Sequence, residues 1–205
     1  ITPDGQLIVR APKSASDRQI QAVVTQKAPW IAKAKARLAE QCPDRQPKTF
    51  STGETFWYLG EQYPLRLVDR QRPLLDLDSA FRLARHAQDQ AKEVFIAWYR
   101  EETRHITHEL IVGYAKRFHL QVNGVRITSA RTRWGSCSAK GNLNFTYRLC
   151  MAPLQIIEYV VVHELAHLKV PNHSRTFWAE VSKMYPDYQK RRAWLKQHGY
   201  HLNLD

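Results

Sequence analysis

The sequence predicts an α+β fold, and three observations predict it. Short runs rich in aromatic and β-branched residues cluster at 55–68 and again at 125–149. A helical pattern runs from about Ala84 to His119. A strongly apolar segment after Pro153 carries two histidines four residues apart. Strands grouped apart from long helices, rather than alternating with them, are the mark of this class.

Gln6-Leu7-Ile8-Val9-Arg10 reads as a short strand. Ser16 follows as a helix N-cap with Gln19 in the capping-box position. Ile20, Val23, Val24, Ile31, Ala34 and Leu38 then recur at helical spacing. Pro29 interrupts them, which predicts a kink or two successive helices, and Pro43 and Pro47 mark a loop. Residues 55–59 and 62–68 flank Gly60-Glu61 as a hairpin, and a further strand is expected at 74–78. The helix from Ala84 to His119 supplies the back of the core. Strands are expected over 125–129, about 132–138 and Leu143–Leu149, and Ala152-Pro153 opens the next helix. A soft boundary near residue 80 separates a small N-terminal α/β part, 1–80, from a catalytic part, 81–205.

With 43% hydrophobic and 24% charged residues, the composition is that of a globular chain and excludes a disordered one. No apolar run is long enough to cross a membrane. Ile1-Thr2-Pro3-Asp4-Gly5 has neither the basic start nor the apolar core of a signal peptide, and without a methionine Ile1 is not expected to be the native first residue. Cys42, Cys137 and Cys150 form no CxxC pair, so ordinary thiols in a reducing compartment, the cytoplasm, are expected. The net charge of +12 is uneven: residues 116–205 hold 14 basic and 5 acidic side chains. That excess suits an anionic substrate or partner, or else a solubilising surface.

The chemistry is carried by His163-Glu164-Leu165-Ala166-His167. Histidines four apart share one helix face, so both imidazoles can reach one metal ion, with Glu164 beside them to take a proton from water. The flanking Ile156, Ile157, Tyr159, Val160, Val161, Val162, Leu165 and Leu168 predict a helix buried on most sides. Two imidazoles and a carboxylate buried there without partners would be costly, and an ion removes that cost. A third ligand is required, leaving one position open. His173, just past the turn expected at Pro171, is the first candidate, and Glu180 the second. Metzincins share the interval from His167 to His173 but have glycine where Val170 stands, so spacing does not place the chain among them. His105 and His108 also stand at helical spacing, in a polar stretch that reads as a solvated face; His198 and His201 read as surface residues.

Several segments together resemble a known family: Arg133-Trp134-Gly135-Ser136-Cys137-Ser138, Tyr147-Arg148-Leu149, Ala152-Pro153, Tyr159 to Leu168, Asn172-His173-Ser174, Phe177-Trp178, Pro186-Asp187-Tyr188 and Trp194-Leu195-Lys196. In the N-terminal half, Val9-Arg10-Ala11-Pro12, Trp30-Ile31 and Tyr58-Leu59-Gly60 agree as well. The chain resembles the YgjP-like metal-dependent hydrolases, relatives of the SprT-like and WLM metallopeptidases. The resemblance implies a zincin-like catalytic domain: a small twisted sheet, a long backing helix and the HExxH helix. It further implies one zinc ion on His163, His167 and His173, with Glu164 as general base.

Arg148, Tyr147, Asn144, Arg133 and Tyr159 are the candidates for stabilising charge that develops on the substrate. A zinc metallopeptidase is the first expectation, an extended peptide adding to Leu143–Leu149 if that strand is a sheet edge. The alternative is a metal-dependent phosphohydrolase of the nucleoside triphosphate pyrophosphatase type, which the basic half favours. A nucleic-acid-associated protease is the third, from Lys190-Arg191-Arg192-Ala193-Trp194, although that run reads better as a solvated helix face with Trp194 in the core. No membrane partner is expected.

Overall fold

The computed structural model describes residues 6–12, 14–41 and 47–204. The chain forms two compact units, residues 1–47 and Lys48–Leu204. In the first, α1 (Asp17–Gln26) and α2 (Ala28–Gln41) are the two successive helices that Pro29 predicts. Ser16 Oγ accepts from the Gln19 amide while Gln19 Oε1 accepts from the Ser16 amide, a complete capping box. Residues 6–10 are irregular rather than a strand. The loop expected at Pro43 lies outside the described residues.

The second unit begins with a four-stranded sheet in the order β1-β2-β4-β3. β1 (Thr55–Tyr58) and β2 (Glu61–Val68) are the expected hairpin. Its turn is Leu59-Gly60, one residue before the expected Gly60-Glu61, because both residues take the positive φ that the right-handed strand twist demands and Glu61 is already paired in β2. A Cβ on Gly60 would stand 2.6 Å from Pro153 Cγ, and the Leu59 and Gly60 amides donate to Cys150 and Met151 carbonyls. The hairpin tip is thereby locked onto the start of the histidine helix. β3 (Leu75–Leu77) falls where a strand is expected. β4 (Phe81–Ala84) has no counterpart in the sequence expectations: it pairs parallel with β2 and reaches Ala84, where the long helix is expected to start. A 3-10 turn over Arg85–Gln90 delays that helix, α3, to Ala91–Phe118.

α3 buries Phe95, Tyr99, Thr103, Ile106 and Ile111 along one stripe. The Phe95 ring lies 4.4 Å from Phe56, 5.1 Å from Phe81 and 5.4 Å from Phe50. This cluster is why residues 48–80 belong with the rest of the second unit, and why the boundary expected near residue 80 falls inside a core instead of between domains. Phe95→Ala should cost about 3–5 kcal/mol through the cavity it leaves. Urea unfolding measures this, and a loss below about 1 kcal/mol would remove Phe95 from the centre of the core.

The second sheet has the order β5-β7-β6. β5 (Gly124–Thr128) runs parallel to β7 (Asn142–Thr146), and β6 (Gly135–Cys137) antiparallel to it. β7 is therefore the interior strand and not an edge that would accept an added peptide strand; the edges are β5 and β6, and β6 is the one beside α4. Nor does β7 extend to Leu149. Tyr147–Met151 wind into a buried 3-10 turn, whose Tyr147 carbonyl accepts from Thr103 Oγ1 of α3 at 2.9 Å. The apolar run there fits a strand or a buried turn equally well, and contact with α3 decides. α4 (Leu154–Ala166), α5 (Arg175–Met184) and α6 (Tyr188–His198) complete the unit. The architecture is α+β, with the small sheet, long backing helix and histidine helix in place. No helix among the described residues is long and apolar enough to cross a membrane. Cys137 and Cys150 are free thiols.

Candidate metal centre

α4 is apolar nearly all round, and Ile156, Ile157, Tyr159 to Val162 and Glu164 to Ala166 are buried. It stops at Ala166, five residues before Pro171, because the Lys169 and Val170 amides fold back onto the Ala166 carbonyl. His167 is thus the C-cap residue, and the tight turn after it returns the chain to His163. Asn172 Oδ1 accepts from the Ser174 amide, and Ser174 caps α5 through the Phe177 amide. His173 is held between these two caps.

The result is convergence. One ligand nitrogen from each of His163, His167 and His173 lies within 4.8 Å of the others. His163 Nε2 and His173 Nε2 stand 3.0 Å apart. Two nitrogens bound ~2.0–2.1 Å from one tetrahedral ion would be ~3.3 Å apart, so the donor set fits a zinc-type ion. His167 Nδ1 faces the Val170 carbonyl at 3.0 Å, which calls for the proton on Nδ1 and leaves Nε2 with its lone pair. Burial, reinforced by His167, His173 and Arg192, lowers His163 to about 3, and burial likewise lowers His173. Neutral imidazoles are what a cation binds. Glu180, the second candidate ligand, is paired with Lys169 at 3.4 Å and Lys183 at 2.5 Å.

Aromatic rings seat the histidines. Phe177 stacks on His167 at 4.4 Å, and Trp178 lies between His173 and Tyr188. Arg192 sits 4.5 Å from the Trp178 ring, so part of the basic run on α6 packs against the wall of the site. Tyr159 turns edge-on to His163 at 6.0 Å, with its phenol pushed up to about 12 by burial. His105 is exposed and meets Glu109 on α3, and His108 is exposed beside it. His201 is exposed, whereas His198 is half-buried against Trp194.

Glu164 is 5% exposed. Burial raises its carboxyl to about 8, opposed by the Arg133 guanidinium. Its Oε2 and His163 Nδ1 are buried with no partner among the described residues. The roof over Glu164 is Gly135 of β6, where a Cβ would stand 2.6 Å from Glu164 Cγ and Oε1. Sequence reasoning missed this residue: the glycine in Trp134-Gly135-Ser136 is visible, but the carboxylate it makes room for is far away in the chain. Gly135→Ala should displace Glu164 and lower turnover about 100-fold, the scale of a 1 Å misplacement at a reacting group. Steady-state rates beside thermal unfolding test this; a fall in both rate and folding content would instead indicate a damaged sheet.

A cleft of ≈ 370 Å³ opens over these groups, bounded by Arg133, Gly135 to Ala139 and the three histidines. Of the candidates for stabilising substrate charge, Arg133 alone lines it. Asn144 lines the neighbouring clefts. Arg148 is buried with its guanidinium 4.7 Å from the Trp134 ring, and Tyr147 stacks on Tyr99. The 3-10 turn that replaces the end of the expected strand carries both inward.

The sequence matches the family described as YgjP-like, metallopeptidase domain, over residues 1–198. The chain belongs to the YgjP-like family. A YgjP-like chain is here 32% identical over 92 residues to the UTP pyrophosphatase of Escherichia coli strain K12, a match covering 42% of this chain and 55% of that protein. Similar solved structures include the metallopeptidase zymogen of Pyrococcus abyssi abylysin, 26% identical with a TM-score of 0.40, covering 44% of this chain and 93% of that one. The metallopeptidase zymogen of Methanocaldococcus jannaschii jannalysin is 19% identical with a TM-score of 0.38, covering 46% and 94%.

Proposed function

We propose that His163, His167 and His173 hold one zinc ion and that Glu164 is the general base of a hydrolase acting on phosphoanhydrides of nucleotides. The observation that carries the hydrolytic reading is the convergence of three imidazole nitrogens within 4.8 Å beside a buried carboxylate. When bound, the ion supplies Lewis acidity, making water acidic near neutrality and polarising the scissile group. Glu164 takes a proton from the attacking water and hands it to the leaving group, so that water is added across the broken bond. Gly135 keeps the carboxylate in place. Arg133, at the rim of the cleft, balances negative charge gained by the substrate.

For the bond broken, Arg133 and the basic C-terminal half favour a phosphoanhydride, as does similarity to a UTP pyrophosphatase. Peptide hydrolysis is the second reading. The family's description favours it, and so does β6, a sheet edge that lines the cleft. A single comparison decides: wild type and Glu164→Gln against nucleoside triphosphates and against an unfolded protein. Diphosphate release by wild type alone supports the first reading. Release of new peptide termini without diphosphate establishes the second.

A further inference from the structure

Beyond the histidine cleft, the β5-β7-β6 sheet has a face turned away from α4. Strand alternation sends Ile127, Leu143 and Phe145 into the core and Thr128, Asn144 and Thr146 to this other face. A second cleft of ≈ 290 Å³ lies there, and Arg133, Gly135 and Ser136 line both clefts. The two spaces therefore meet across β6.

We infer that this second cleft is the subsite for the nucleoside part of the substrate, with Asn144 and Ser136 reading its hydrogen-bonding edge and Arg133 holding the phosphate chain where the clefts meet. The inference rests on the nucleotide reading above. Its threonines are already engaged: Thr146 Oγ1 donates to the Ala130 carbonyl, and Thr128 Oγ1 donates to the Phe145 carbonyl. Asn144 Nδ2 donates to Ser136 Oγ at 3.3 Å. Among the described residues that bond leaves the Asn144 carbonyl oxygen and the Ser136 hydroxyl proton for a ligand, an acceptor beside a donor. A nucleobase edge presents the complementary pair. Trp134, held by Arg148, adds a flat aromatic wall. An apolar peptide side chain would leave both polar groups unpaired, and sites built to hydrogen-bond reject such ligands.

Binding tests this independently of turnover. The protein as purified is titrated with α,β-imido-UTP and with inorganic triphosphate, and the ratio of the two affinities is read. Wild type should bind the nucleotide analogue at least about tenfold tighter, ~1.4 kcal/mol. Asn144→Ala and Ser136→Ala should each bring the ratio to within about threefold of unity, with thermal midpoints showing that both variants are folded. Arg133→Ala should weaken both ligands. A wild-type ratio near one, or a ratio unmoved in both variants, overturns the subsite. If diphosphate is still released in that event, the nucleotide reading stands without it. If the ratio behaves as expected but no diphosphate is released, the subsite stands as a nucleotide-binding cleft and the phosphoanhydride reading falls.

Discussion

Glu164→Gln should reduce turnover about 10²–10⁴-fold, the range a positioned proton acceptor contributes, while metal content is kept. The substitution is nearly isosteric, so the tight space under Gly135 is filled as before. What changes is basicity: an amide cannot take the proton of water. No substitute is at hand, because among the described residues lining the cleft Glu164 is the only carboxylate. Folding should not suffer, since the native carboxyl is already buried with Oε2 unpartnered. Rates on the preferred substrate and elemental analysis of the same samples check this. Turnover within tenfold of wild type, at equal metal content, would show that the proton goes elsewhere.

His163→Ala should lose the metal altogether. The three nitrogens come from a helix, its C-cap and the following turn, and two of them stand only 3.0 Å apart, so two histidines cannot replace three. Disturbing a residue that merely supports a ligand costs 10–100-fold in metal affinity; removing a ligand should cost more than about 100-fold. Wild type should also lose thermal stability to a chelator, as any ligand-stabilised fold does, and the variant should not respond. His173→Ala should behave alike, whereas His105→Ala, from the exposed face of α3, should keep its metal. Full retention of metal by His163→Ala and His173→Ala would sink the assignment.

The helix at the heart of the site was legible in the sequence because its information is local. An i,i+4 histidine pair in an unbroken apolar segment has one helical reading, and a turn soon after it returns His173 to the same face. The capping box at Ser16 and the existence of the hairpin were legible for the same reason, although its turn falls one residue before the expected Gly60-Glu61. Features set by distant partners were not. β4 is a strand because β2 lies beside it, and its four residues run straight into a helical pattern. Tyr147 to Leu149 look like strand but turn inward to meet α3. The domain boundary failed because Phe56, Phe81 and Phe95 meet across sequence gaps that no periodicity reveals. Gly135 is the sharpest case, since its role is to be small in front of a residue on another element.

The short strand β6 divides labour between neighbours in the chain. Gly135 abuts the Glu164 carboxylate, while the adjacent Ser136 bonds to Asn144 on the sheet's opposite face. The proposed sites of proton transfer and of ligand choice thus meet at adjoining codons, and Ser136 lines both clefts. On the proposed reading, a lineage, or an engineer, can alter position 144, outside the histidine cleft, and explore new substrates. Position 135 tolerates no such drift.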